Sequence, residues 1–212
     1  MALSPLLAVI VPSIVLLAGY WLSGLLFVRP DVRLERWLHG VDDTVLIRSG
    51  VLESFRRSPR VVQEFFEVCY LLVYLAVPAG ATVIAYRHPA HLDSFWTTVL
   101  CAEFACYGML PWLQTRPPRV LEPEGGTRIV GVWRLNLRLV NHTSIQVNTL
   151  PSGHAAGAFA TALAVVSVTP IAGIGFLALA LSISIATVVG RYHYVVDTVL
   201  GALVAIAIWV IV

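Results

Sequence analysis

Six stretches of this chain are long, continuously apolar and almost free of charge: residues 4–28, 61–86, 92–113, 153–169, 171–189 and 193–212. Crossing a bilayer as a helix takes about 20 such residues, within a range of about 17–25. None of the six alternates apolar and polar residues with the period of two that a barrel strand needs, so they read as helices. The first run is longer than the apolar core of a signal peptide and shows no small-x-small cleavage site, so it reads as a retained span. The expected fold is all-α. It is one integral-membrane domain over residues 1–212, a six-helix bundle with short interfacial helices in the loop before the second span. Composition agrees: 58% of the 212 residues are hydrophobic and 12% charged, where a soluble domain carries about 25% charged residues. An ordinary soluble globule, a disordered chain and a collagen-like fibre are excluded.

The polar residues are as uneven as the apolar ones. All fourteen basic residues are Arg, and none is Lys. A guanidinium is a flat, permanently charged fork that suits phosphate. A nucleic acid would need a basic face, yet most of this chain is apolar. Cys69, Cys101 and Cys106 all lie inside apolar runs, which makes them packing residues rather than a disulfide or metal framework. Residues 29–60 interleave seven Arg with Leu34, Trp37, Leu38, Val45, Leu46, Leu52 and Phe55, the pattern of amphipathic helices lying at a lipid interface. With the N-terminus on side A, alternation of the six spans puts residues 29–60, 114–152 and 190–192 together on side B. Thirteen of the fourteen Arg fall there, and only Arg87 falls on side A. The positive-inside rule would make side B cytoplasmic.

Three groups of unusual residues meet on that face. Pro151-Ser152-Gly153-His154 opens the fourth span. Ser152 is a good N-cap, Gly153 permits close approach, and a helix start is a ready anion site. Taken alone, the tetrapeptide equally describes a plain capped helix. His193 and Asp197 open the sixth span, four residues apart and so on one helical face. An Asp on one imidazole nitrogen fixes the tautomer and leaves the other nitrogen free as a nucleophile. Arg191 precedes them. Arg116-Pro117-Pro118-Arg119 follows the third span; two Arg can clamp a phosphate, although a basic membrane flank has the same composition. Together, the set asks for an oxyanion attacked by His.

In order and spacing these residues resemble the type-2 phosphatidic acid phosphatase superfamily, whose motifs are K-x6-R-P, P-S-G-H and S-R-x5-H-x3-D. The second is matched in full by 151–154, the third by His193 and Asp197, and the first by Arg116-Pro117. The resemblance covers residues 61–212. It departs where Met109 stands for the Lys of the first motif and Ala186-Thr187 for the Ser-Arg of the third. Arg119 and Arg191 are expected to compensate. These shifts are similar to the inositol phosphotransferase-like branch.

The resemblance implies that His193 is the nucleophile, oriented by Asp197. His154 would protonate the leaving alkoxide and then activate water. Ser152, Gly153, Arg116, Arg191 and Arg119 would hold the phosphate, with no metal and no cofactor. The implied activity is hydrolysis of a lipid phosphate or diphosphate through phosphohistidine; the alternative is transfer to an alcohol. A transporter or scaffold would spread polar residues through the middle of several spans, which this chain does not do. The expected partners are the lipid phosphate or diphosphate and membrane lipids, with no nucleic acid and a homodimer left open. The expected location is a bacterial cell membrane, multi-pass. Because bacterial members often carry the site on the outer face, the facing is left open. Glu103, deep in the third span, reads as a structural acid. Glu64 and Glu67 are expected to pair with Arg, His142 to sit in a loop, and Trp112, Tyr192 and Tyr194 to form an aromatic belt.

Overall fold

The computed structural model describes residues 4–122 and 131–212. Among them every regular element is a helix: α1 (Pro5–Gly24), α2 (Val32–Asp42), α3 (Val51–Arg57), α4 (Arg60–Arg87), α5 (Leu92–Gly108), α6 (Pro118–Leu121), α7 (Gly131–Thr143), α8 (Gly153–Val168), α9 (Pro170–Val189) and α10 (Val195–Ile211). A π-helical turn, Asp43–Arg48, continues α2. Three helices, α1, α4 and α9, are long and apolar enough to cross a membrane; α8 and α10 are shorter apolar helices. At 16 and 17 residues, α8 and α10 measure about 24–26 Å.

α8 is the central helix, packed by α4, α5, α9 and α10. Its sequence explains why. Ala155, Ala156, Gly157, Ala158, Ala160 and Ala162 are all buried, and small side chains let helix backbones approach closely in the absence of a hydrophobic drive between spans. α10 comes close at the head of α8, where a Cβ on Gly201 would collide with the carbonyl oxygen of Ser152. α1 lies at the periphery, with only 11% of its apolar window buried, so most of its Leu, Ile and Val side chains face outward.

Three boundaries differ from the apolar runs by two residues or more: the first run ends as a helix at Gly24 rather than at residue 28. The third run ends as a helix at Gly108 rather than at residue 113, because Pro111 cannot continue the ladder. The sixth helix begins at Val195 rather than at residue 193, since Tyr194 is an extended N-cap. α2 and α3 are the expected amphipathic pieces: α2 turns Glu35, Leu38 and Asp42 inward and exposes Val32 and Trp37. The segment after the third run also holds a helix, α7. It packs on α4 through buried Asn136 and Val140 and carries His142 in its exposed last turn rather than in a loop. Of the expected aromatic belt, Trp112 is exposed. Tyr192 and Tyr194 are instead buried, because the chain between α9 and α10 turns into the bundle.

Candidate active site

Two helix starts create the site. At the head of α8, Ser152 accepts the Ala155 N–H at 3.3 Å and caps the helix. The Ser152 N–H in turn donates to the carbonyl of Asp197 at 2.8 Å, which locks the heads of α8 and α10 together. Before α10, the N–H groups of Tyr192 and His193 both donate to the Thr187 carbonyl, at 2.9 and 3.0 Å. This tight turn aims the His193 ring back at α8.

His193 Nδ1 lies 2.9 Å from Asp197 Oδ2. With Nδ1–H donating to the carboxylate, the Nε2 lone pair is left free, and it faces His154 Nδ1 at 3.3 Å. His193 is buried. Asn148 holds the same carboxylate oxygen from the other side, its Nδ2 donating at 2.7 Å. Tyr70 stacks on Tyr192 with ring centroids 3.8 Å apart and on His154 at 5.7 Å.

The three Arg take different positions. Arg116 is bidentate to Glu35, with Nε donating at 3.0 Å and Nη2 at 2.8 Å. Arg191, buried, is held between Asp42 and Glu122. Arg119 has no carboxylate partner among the described residues. Its guanidinium lies over the Tyr192 ring, 5.5 Å from the centroid, and it lines a polar niche with His154, His193 and Asn148. The structure thus brings Arg119 to the two His, while carboxylates occupy Arg116 and Arg191. Arg191 still serves the niche through its backbone, because its carbonyl accepts the Arg119 N–H at 3.0 Å. At the head of α8 the Gly153 N–H is also engaged, by Thr149 Oγ1 at 3.1 Å.

The niche has a volume of about 20 Å³, room for about one water. It shares Tyr20, Ser144, Thr149 and His154 with an adjoining apolar cavity of about 320 Å³. α1, α4, α5 and α7 wall that cavity, and Gly153 and His154 close its end. Among the described residues no group of three or more His, Cys, Asp or Glu could hold a metal ion.

Several residues escaped the sequence reading. Glu35 and Asp42 hold Arg116 and Arg191; both are acids on the inward face of an amphipathic helix, a pattern visible in sequence, but their partners are not. Asn148 and Thr149 sit just before the 151–154 motif without any local signal. Glu64 pairs with Arg60 at 3.3 Å and caps α7 by accepting the N–H groups of Gly131 and Val132. Glu67 accepts from Tyr192 Oη at 2.9 Å and from Asn136 Nδ2 at 2.7 Å. The family model of the PAP2 superfamily matches residues 35–211. No curated protein and no solved structure matches the chain.

Proposed function

Because the chain belongs to the PAP2 superfamily, we propose that it is a multi-pass membrane phosphatase of six spans that hydrolyses a lipid phosphate or diphosphate through a phosphohistidine, without a metal. The observation that carries this reading is the buried relay Asn148–Asp197–His193, which ends on a free Nε2 beside His154. The Nε2 lone pair attacks phosphorus as the bond to the lipid oxygen breaks, and His154 delivers a proton to that oxygen. Water then attacks the phosphohistidine while His154 takes its proton. Asp197 stabilises the imidazolium of His193 in between. Arg119, whose guanidinium has no carboxylate partner among the described residues, balances charge on the phosphoryl oxygens. A niche with room for about one water does not admit a phosphoryl group, so binding requires its lining side chains to move apart.

The adjoining apolar cavity supports a lipid as substrate, since a chain of methylenes fits its lining. His193→Ala should abolish phosphate release from a lipid-phosphate panel in detergent, and vanadate should inhibit the wild type. Full activity of His193→Ala would end the proposal, and release that depends on a divalent ion in an EDTA titration would overturn its metal-free form.

A second reading is favoured by Met109 and Thr187 standing where the family motifs place Lys and Arg. It is transfer of the same phosphoryl group to an alcohol instead of water. Product analysis with water and with added alcohol acceptors separates the two.

A further inference from the structure

One ionisable group inside the bundle takes no part in that chemistry. Glu103 lies in the middle of α5, only 5% exposed, and lines the apolar cavity together with Tyr107, Thr149, Gly153 and His154. Its carboxyl rests against α8 where the helix has no side chains to offer. A Cβ on Gly153 would come 2.9 Å from Glu103 Oε2, and a Cβ on Gly157 would collide with Oε1. The two glycines make a notch that admits the carboxyl one helical turn deep. No Arg is paired with it among the described residues; Tyr107, one turn on along α5, is its hydrogen-bond neighbour, and its Oε2 has no hydrogen-bond partner among the described residues.

A buried carboxylate oxygen without a donor is costly, and buried polar groups normally find one. The cavity is where a donor can enter. Gly157 lies three residues beyond His154 along α8, about 4.5 Å further into the bundle. A lipid whose phosphate occupies the histidine niche places the alcohol part of its phosphoester at that depth, with its chain in the apolar part beyond. A hydroxyl there meets the carboxyl in either protonation state, because both states accept from an O–H.

We propose that Glu103 accepts a hydrogen bond from a free hydroxyl close to the phosphoester of the substrate, so that the site selects hydroxylated lipid phosphates over those without such a hydroxyl. This rests on the lipid-phosphatase reading above. Within it, Glu103 determines specificity and takes no part in bond breaking.

The test uses the whole protein in detergent and two substrates of equal chain length: 1-oleoyl-glycerol-3-phosphate and its analogue lacking the 2-hydroxyl. The wild type should prefer the hydroxylated lipid by about 10-fold or more in kcat/KM, since the analogue leaves a buried acceptor unpaired. Glu103→Gln, whose amide oxygen still accepts, should keep most of that preference. Glu103→Leu should lose it by slowing the hydroxylated lipid to the rate of the analogue while leaving the analogue within about 3-fold. Equal rates of the wild type on the two lipids would overturn the inference. So would a parallel fall of both in Glu103→Leu, the sign of a merely structural acid. In either case a loss of hydrolysis in His193→Ala would leave the phosphatase reading standing; a wild type that hydrolyses neither lipid would overturn the inference and count against the reading beneath it.

Discussion

His193 and His154 are the same residue type in contact with each other, yet their surroundings give them different work. His193 has Asp197 on its far nitrogen, 2.9 Å away, and so presents a lone pair. His154 has no carboxylate on its ring among the described residues; besides His193 it meets Tyr70 and Tyr74, and it can carry a proton in either direction. His154→Ala should therefore slow lipid-phosphate hydrolysis by about 10²–10⁴. An aryl phosphate, whose leaving group needs no proton, should still show a burst of phenol in stopped-flow measurements. A second titration belongs to Glu35. Burial alone would raise its carboxyl, but the hydrogen bonds and charge of Arg116 outweigh burial and hold it below the ordinary 4.5. The sign follows from linkage: the contribution is fully present above about 4.5 and is lost as pH falls through the depressed value. The melting temperature in detergent should fall more steeply below pH 5 in the wild type than in Glu35→Gln. The histidines and Asp197 were legible in the sequence because each motif is contiguous or one helical turn long. The engagement of Arg116 and Arg191 was not, because their partners lie 81 and 149 residues away in the chain.

The elements that position these residues are tied at their ends. Asp42, in the last turn of α2, holds Arg191 with one oxygen and accepts the Val195 N–H, the first of α10, with the other at 3.0 Å. An amphipathic helix thereby fastens the turn that carries His193. The side chains of Arg191 and Asp42 are 6% and 1% exposed, so Asp42→Ala leaves a buried cation short of a partner. It should cost about 3–5 kcal/mol of stability in detergent unfolding and lower activity with it. Asp43→Ala breaks the neighbouring pair to Arg48, which is 76% exposed, and should cost less than about 1 kcal/mol. Amphipathic spacing made α2 legible as an amphipathic helix. The sequence could not show that its inward face grips the turn that carries His193, since an acid on a helix face reads the same whether it meets water or a buried Arg. The same limit applies to Tyr192 and Tyr194. Next to an apolar run they read as interfacial aromatics, and only the inward turn at Thr187 buries them.

At the scale of the molecule, the apolar runs located the helices but left their number of crossings to alternation. That layout places Arg36 and Arg87 on opposite faces. With Cys101, which is exposed on α5, first replaced by Ala, Arg36→Cys and Arg87→Cys should react with a membrane-impermeant maleimide from opposite sides. Labelling of both from one side would remove the six-span layout, and the side on which Arg36→Cys reacts reports the facing of the site. α1 belongs to this scale too. It precedes the family match at residue 35, it packs with Gly19 against Phe104 and Gly24 against Ile145, and its Ser13, Leu16, Leu17, Tyr20 and Trp21 line the cavity. On the proposed reading, one side of the surface that meets the lipid tail therefore lies apart in the chain from His154, His193 and Asp197, while α4, α5 and α7 supply the rest of the wall. Substitutions along α1 would then shift tail preference without touching the groups proposed to break the bond.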